Sequence, residues 1–400
     1  MLEKISNLSF KKEDGGSDIL EILIKEAFEL NASDIHIDPT STYLNIRFRI
    51  DGGLYRLPSV DLEKHSEIIS RIKILAGLRI DERRKAQDGR MRLEFPGGKF
   101  VDIRISMVPS FHGESAVLRM LYDRDEAMNL SFLGFGDENL LKIERAIKKT
   151  GGMILSTGPT GSGKTTTLYS ILKVLNREDV SIVTIEEPVE YSIPNIRQIQ
   201  VDYGCQLNFA NGLRSILRQD PNIIMVGEIR DKETAQIAVN AALTGHLLLS
   251  TLHTNDSVAT LPRLIDMGVE PFLLASTFNL AINQRLVKKI CQNCKAEMEI
   301  KDKQKRSLEE LLGQALPDSP FYKGLGCEMC HKSGYSGRTL VAEVLSVDEE
   351  IRRLVIDKKS AGEIRRIAIK NGMTPLLHDG ILKASLGITT LEEALRVGYE

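Results

Sequence analysis

The segment GPTGSGKTTT, Gly158 to Thr167, constrains the fold of this chain more than any other ten residues. It fits G-x-x-x-x-G-K-[ST], a loop whose backbone amides wrap phosphate oxygens. Such a loop needs a buried strand before it and a helix after it. Met153-Ile154-Leu155 reads as the strand. Thr165 to Leu175 reads as the helix, with Leu168, Ile171, Leu172 and Leu175 on one face. Glycines at 158, 161 and 163 allow the tight turn that points N–H groups at an anion. The helix N-terminus adds partial positive charge at the same place. The candidate nucleotide-binding residues are therefore Gly158, Pro159, Thr160, Gly161, Ser162, Gly163, Lys164, Thr165 and Thr166. Lys164 suits the β- and γ-phosphates of ATP, and the Thr165 hydroxyl suits Mg²⁺. A glycine-rich turn could match by chance, but here strand and helix are both in place.

That loop implies an α/β domain, and 400 residues leave room for two or three domains. A net charge of −2 gives no support to a protein that grips nucleic acid through excess positive charge, so no direct nucleic-acid binding is expected. The first residues, MLEKISNLSFKKEDGGSD, lack the apolar core of a signal peptide. No apolar stretch approaches the ~18–20 residues that span a bilayer. The expectation is a cytosolic protein that reaches a membrane only through partners or a surface. In a reducing compartment, four of the five cysteines falling into two C-x-x-C pairs suggests metal rather than disulfides.

Three regions follow from the pattern. Residues 1–122 read as an N-terminal α+β domain. Ser17-Asp18 with Glu21 marks a helix start, with Ile19, Leu20, Leu23, Ile24, Ala27 and Phe28 as its buried stripe. In LNIRFRI, Leu44, Ile46, Phe48 and Ile50 alternate with polar residues as a half-buried strand does, and Asp51-Gly52-Gly53 makes the turn after it. A helix is expected around 64–77. Two hairpins are expected over Arg90–Leu121, the first turning at Pro96-Gly97-Gly98. Residues 123–137 break the pattern with charges and glycines and read as a linker. From 138 to 400 strand and helix alternate, as a mostly parallel sheet requires. The candidate core strands are 152–157, 180–186, 223–227 and 247–252. Their continuous apolar runs suit strands covered on both faces. A cysteine-bearing insertion over about 288–340 and a helical tail over about 348–400 complete this region, with Thr390-x-x-Glu393 as a capping box.

Ligands of parallel α/β sheets collect at the carboxyl ends of the strands. Three further candidate strands carry polar groups there. TIEEPVEY presents Glu186 and Glu187, MVGEIRD presents Glu228, and HLLLSTLHTND runs between His246 and His253. A carboxylate near the γ-phosphate can orient or deprotonate the attacking water, and another can hold Mg²⁺ through its waters. Each of these residues alone is usually a solvated loop residue or a satisfied histidine. Four such strand ends together, one of them the P-loop, carry the inference. Arg214 and Arg218, one turn apart, form either a solvated basic face or a pair facing phosphates. Arg104 and Arg119 lie on strands of the first domain. Each is either surface decoration or, if that domain folds over the P-loop, an arginine finger.

Cys291-x-x-Cys294 and Cys327-x-x-Cys330 have the spacing of a tetrahedral Zn²⁺ site. All four positions are filled, which argues for a closed structural site. The 32 residues between the pairs are charged and show little core of their own, so metal binding would order them, contributing on the order of 10 kcal/mol. His331 could substitute as a ligand.

Taken together, ASDIHID, RFRIDG, QDGR, the P-loop, the acidic box at Glu186, DPNIIMVGEIRD and TGHLLLSTLHTND span nearly the whole chain. The chain resembles the secretion ATPases of type II secretion systems and type IV pilus assembly (GspE/PilB). The resemblance implies a PAS-like N-terminal α+β domain followed by a RecA-like P-loop NTPase domain with a zinc insertion and a helical tail. It implies a homohexameric ring that hydrolyses ATP with Mg²⁺ at the cleft between domains and subunits, and acts on an inner-membrane platform protein. By the same resemblance Glu186 is the general base and Glu228 the Walker B acid. His246 and His253 sense the γ-phosphate as a pair. Arg104, Arg119, Arg214 and Arg218 stand near the phosphates. The tetracysteine insertion belongs to the assembly and secretion branch, since retraction ATPases generally lack it. Assembly ATPases usually carry extra N-terminal docking domains, whereas this chain begins almost at the ASDIHID domain. The competing functions are a nucleic-acid translocase, including a DNA-uptake motor, and a nucleotide-binding scaffold without turnover.

Overall fold

The computed structural model describes residues 15–50, 52–95, 99–122, 129–313, 316 and 320–399. The chain divides into two units, Met1–Arg124 and Asp125–Glu400.

In the first unit, helix α1 (Gly16–Glu29) turns Ile19, Leu20, Leu23, Ile24 and Ala27 inward, on the stripe expected from its 3.6-residue period. Asp18 caps it by accepting from the Gly15 amide at 3.1 Å. The strands are β1 (Asp34–Pro39), β2 (Tyr43–Ile50), β3 (Gly53–Arg56), β4 (Val60–Asp61), β5 (Gln87–Phe95), β6 (Lys99–Ser110) and β7 (Gly113–Tyr122). They form one antiparallel sheet in the order β3-β2-β1-β7-β6-β5, with β4 beside β2. The two hairpins expected over 90–121 are thus one three-stranded meander. Its first turn, 96–98, and Asp51 of the earlier turn lie outside the described residues. Helix α2 (His65–Leu75) packs with α1 over the apolar sheet face, burying Ile35, Ile37, Ile46, Phe48, Ile103, Ile105 and Leu118. The opposite face carries Arg90, Arg104 and Arg119 in register across three strands, with Asp34 next in the row.

In the second unit, helix α3 (Asp137–Ile147) precedes β8 (Gly152–Thr157), and α4 (Lys164–Leu175) follows the P-loop. Part of the expected linker, residues 123–128, lies outside the described residues. Leu130 and Phe135 are buried in the core of this unit, so the segment from 129 belongs to it. The sheet continues with β9 (Ile182–Glu186), β10 (Arg197–Gln200), β11 (Ile223–Val226), β12 (Leu247–Leu252), β13 (Phe278–Ile290) and β16 (Tyr335–Ser346). The strand order is β10-β9-β11-β12-β8-β13-β16, and every pair is parallel except β13 with β16. Side chains alternate between two cores. Met153, Leu155, Ile185, Ile224 and Leu248 enter one, and Ile154, Ile182, Met225, Leu247 and Leu249 enter the other. Burial on both faces is why these strands read as unbroken apolar runs.

Between β13 and β16 lies the cysteine insertion, with β14 (Lys295–Met298), α9 (Asp302–Leu312) and β15 (Phe321–Gly324). Its apolar residues Leu308, Leu312 and Phe321 share a core with Ile381, Ala384, Leu391 and Ala394. Those four come from the tail helices α12 (Leu376–Ser385) and α13 (Leu391–Tyr399). The insertion and the tail therefore support each other. Thr390 caps α13 by accepting from the Glu393 amide at 3.2 Å, while the Glu393 carboxylate accepts from the Lys288 amide of β13 at 3.0 Å.

Candidate functional site

The P-loop leaves β8 at the centre of the parallel sheet, between β12 and β13. Gly158 has φ 132°, and a Cβ there would lie 2.6 Å from the Gln284 carbonyl oxygen, so both conformation and space demand glycine. Gly163, at φ 89°, opens α4. The loop is held from β13 by Gln284, which is fully buried. Its amide donates to the Ser162 carbonyl at 2.9 Å, and its carbonyl accepts from Thr167 at 2.9 Å and Ser156 at 3.3 Å. One side chain thus ties together strand, loop and helix.

The site fits a phosphate ligand on its own evidence. The Ser162 hydroxyl is buried without a hydrogen-bond partner. The Lys164 ammonium folds back onto the carbonyls of Gly158 and Pro159, both at 2.9 Å. Burial lowers its pKa, and the charge of Glu228 opposes that shift. A cavity of about 290 Å³ opens beside it, lined by Gly158, Pro159, His253, Thr254, Asn255 and Arg285. Arg285 is buried, with hydrogen bonds to Asn283, the Gln284 carbonyl and the Asn255 carbonyl. A buried cation, an ammonium short of anionic partners and an orphan hydroxyl suit an anion entering this cavity. Thr165, on the first turn of α4, is half-buried.

The acidic strand ends converge on the same edge. Glu228 follows β11 and pairs with Arg230, and the His253 Nε2 lies 3.3 Å from its other oxygen. Arg230 also reaches Glu187 at 2.9 Å. Glu186 ends β9 and is only 2% exposed. Its carboxylate accepts from the Tyr169 hydroxyl, from Thr184 at 2.5 Å and from the Gln198 amide at 3.2 Å. Burial pushes the Glu186 carboxyl above its ordinary pKa even against these three donors.

The structure places the two histidines of the expected pair at opposite ends of one strand. His246 precedes β12 and His253 follows it. Seven steps of extended chain, at roughly 3.3 Å each, separate them by about 23 Å. The His246 carbonyl accepts from Gly152 at the start of β8, the end of the sheet away from the P-loop, and its Nδ1 contacts the Ala241 carbonyl at 2.9 Å. Of the two, His253 lines the cavity and His246 does not. Arg214, in α5 (Phe209–Ile216), pairs with Glu233 at 2.5 Å, and Arg218 returns to the Arg214 carbonyl at 3.0 Å. In the first unit Arg119 pairs with Asp34 at 2.9 Å, and Arg104 is half-buried beside it.

The four cysteines form a second site. Sulfur–sulfur distances are 3.8 Å for Cys291–Cys327, 3.7 Å for Cys294–Cys330 and 3.6 Å for Cys327–Cys330. A tetrahedral Zn²⁺ with bonds of about 2.3 Å requires about 3.8 Å between sulfurs. Backbone amides support the sulfurs: Gly326 donates to Cys294, while Cys327 and Gly334 donate to Cys330. Burial opposes ionisation of Cys330, yet these amides hold its thiol down at about 6. Donor set and spacing both fit Zn²⁺. Among the described residues no other group joins the cluster, and His331 is exposed.

Tyr169, Gln198, Arg230, Gln284 and Arg285 were not singled out from sequence. Gln284 and Arg285 did leave a signal, since three polar residues, Asn283 to Arg285, interrupt the apolar run Leu280–Val287 of a strand buried on both faces.

A P-loop on the central strand of a parallel sheet, beside two acidic strand ends and a closed tetracysteine module, defines a nucleoside-triphosphate-binding protein of the RecA-like kind. The model of the Type II/IV secretion system protein family matches residues 13–396, and the chain belongs to that family. It is 45% identical over 383 residues to the type IV pilus assembly ATPase PilB of Thermus thermophilus, covering 96% of this chain and 43% of that protein. It is 45% identical over 379 residues to the type II secretion system protein HxcR of Pseudomonas aeruginosa, covering 95% of this chain and 76% of that one. The chain thus spans less than half of the first relative and about three quarters of the second. The crystal structure of the pilus retraction motor PilT with bound ADP superposes with a TM-score of 0.66 at 27% identity, covering 95% of this chain and 96% of that one. Among the described residues no helix is long and apolar enough to cross a membrane.

Proposed function

We propose that this protein is a hexameric ATPase motor for type IV pilus assembly or type II protein secretion, acting on a membrane platform protein from the cytoplasmic face. The observation that carries this reading is the P-loop end of the sheet, where the charge of Glu228 acts on Lys164 and Glu228 contacts His253, which lines the cavity, in a chain 45% identical to named assembly and secretion proteins. The P-loop amides and Lys164 would bind the phosphates of ATP. Lys164 would turn from its carbonyl contacts toward the β- and γ-oxygens. Thr165 and, through water, Glu228 would hold Mg²⁺, which neutralises charge developing on the phosphates. Glu186 would take the proton of the attacking water, and His253 would contact the γ-phosphate. Arg104, Arg119, Arg214 and Arg218 would stabilise phosphate charge, supplied across domain or subunit boundaries. Cys291, Cys294, Cys327 and Cys330 would hold Zn²⁺ as a structural ion.

The test is Mg²⁺-dependent phosphate release by the full chain, read alongside its oligomeric state. Glu228→Gln should bind ATP and lose turnover. Wild-type protein that binds ATP but releases no phosphate, even with a platform protein present, would support a nucleotide-binding scaffold instead.

A further inference from the structure

Tyr169 lies in α4, five residues after Lys164 on the helix that the P-loop opens. It is fully buried, and its ring meets Tyr191 edge-on at 4.5 Å between centroids. Its hydroxyl donates to one oxygen of Glu186 and accepts from the Glu190 amide at 3.3 Å. Burial and the neighbouring Glu186 charge push the phenol upward, so it keeps its proton and serves as a donor. The other Glu186 oxygen takes Thr184 from its own strand and Gln198 from β10. Gln198 is itself fastened, donating to the Tyr191 carbonyl at 3.1 Å and accepting from the Ile193 amide at 2.7 Å. The charged group facing this cluster is Glu190, which opposes ionisation of Glu186.

A buried carboxylate held by three donors has one orientation. An apolar packing role needs only the ring, and phenylalanine would supply it. The hydroxyl is therefore the informative atom. We infer that Tyr169 is a positioning residue: it fixes the carboxylate of Glu186 relative to the phosphate-binding helix, so that P-loop and base move as one piece. This rests on the reading of Glu186 as general base. Any movement of α4 when the P-loop fills would be passed to Glu186 through a single hydrogen bond.

The test compares wild type, Tyr169→Phe, Thr184→Val and Glu186→Gln, reading kcat, KM for ATP and the acid limb of the pH–rate profile. A fluorescent ATP analogue reports nucleotide affinity, and hence folding of the site, in each variant. Tyr169 and Thr184 donate to the ionised carboxylate, so losing either donor favours its protonated form. Tyr169→Phe should therefore lower kcat roughly tenfold, leave KM within about twofold and move the acid limb up by about one pH unit. Thr184→Val should move the limb the same way and keeps the test alive if the phenylalanine variant folds poorly. The proposal is overturned if both donor variants leave the limb where it is while Glu186→Gln abolishes turnover; the base reading then stands and the hydroxyl is structural. If Glu186→Gln turns over like wild type, the base reading itself fails, and the proposal with it.

Discussion

The P-loop end of the sheet and the cysteine insertion both aim backbone amides at negative charge, at the place for phosphate oxygens in one and at cysteine sulfurs in the other, but they are built in opposite ways. At the P-loop the cradle is held by the protein alone. Gln284 ties strand, loop and helix, two apolar cores flank β8, and Gly158 and Gly163 pack closely against Gln284. The insertion has few apolar residues, and those it has are shared with α12 and α13. Its sulfurs accept hydrogen bonds from the Gly326, Cys327 and Gly334 amides, and the segment between the pairs has the shared core with the tail but none of its own. The difference shows where ligand binding goes energetically. At the prebuilt P-loop the energy of ligand binding would be left for other work, while at the cysteines metal binding would go into ordering the segment.

The largest expected effect follows from that contrast. Removing Zn²⁺ with a chelator, or changing Cys330→Ser, should forfeit metal stabilisation on the order of 10 kcal/mol. Limited proteolysis should then cut within residues 291–334, with β8 and α4 still protected. A metal-free chain as resistant as the metal-loaded one would make the insertion self-sufficient, like the P-loop. Next comes the joint between tail and sheet. Asp379 is buried, pairs with Lys383 at 2.6 Å and accepts from the Ala342 amide of β16 at 2.8 Å. Asp379→Ala leaves the Lys383 ammonium buried without its partner and should cost about 3–5 kcal/mol in denaturant unfolding. A loss below ~1 kcal/mol would mean the tail is not coupled to the sheet there. The third prediction separates the two ends of β12. His253→Ala should lower kcat by roughly a hundredfold, as the loss of a group contacting transition-state charge does. His246→Ala, at the far end, should leave nucleotide affinity within about 0.5 kcal/mol. A fall in kcat for His246→Ala as large as that for His253→Ala would place both histidines at one phosphate and break the register argument.

Legibility in the sequence followed burial. Strands 152–157 and 247–252 were readable because each carries an unbroken apolar run, Met153–Leu155 and Leu247–Leu249, that enters both cores. The 13-residue strand β13 was not, because Asn279, Asn283, Gln284 and Arg285 occupy buried positions that ordinarily go to apolar side chains. Asn283, Gln284 and Arg285 hold the end of β8 and the P-loop or line its cavity, while Asn279 holds Gly151 at the other end of β8, so the feature that hid the strand is the feature that gives it a role. At the site, Lys164, Glu186, Glu228 and the four cysteines were legible from type and spacing. Tyr169 was not, since a tyrosine amid Leu168, Ile171 and Leu172 reads as core. Arg230 was missed as well, since a charged residue after a strand reads as solvated. The separation of His246 from His253 was in principle legible, because seven sequence steps of extended chain cannot return to one point.

The most direct test of the account is phosphate release by the full chain with ATP and Mg²⁺ when Glu186 is changed to Gln. This substitution keeps the size of the side chain and removes its basicity. Turnover should fall by about 10²–10⁴-fold with ATP affinity retained. Turnover equal to wild type would contradict the assignment of hydrolysis to the acid at the end of β9.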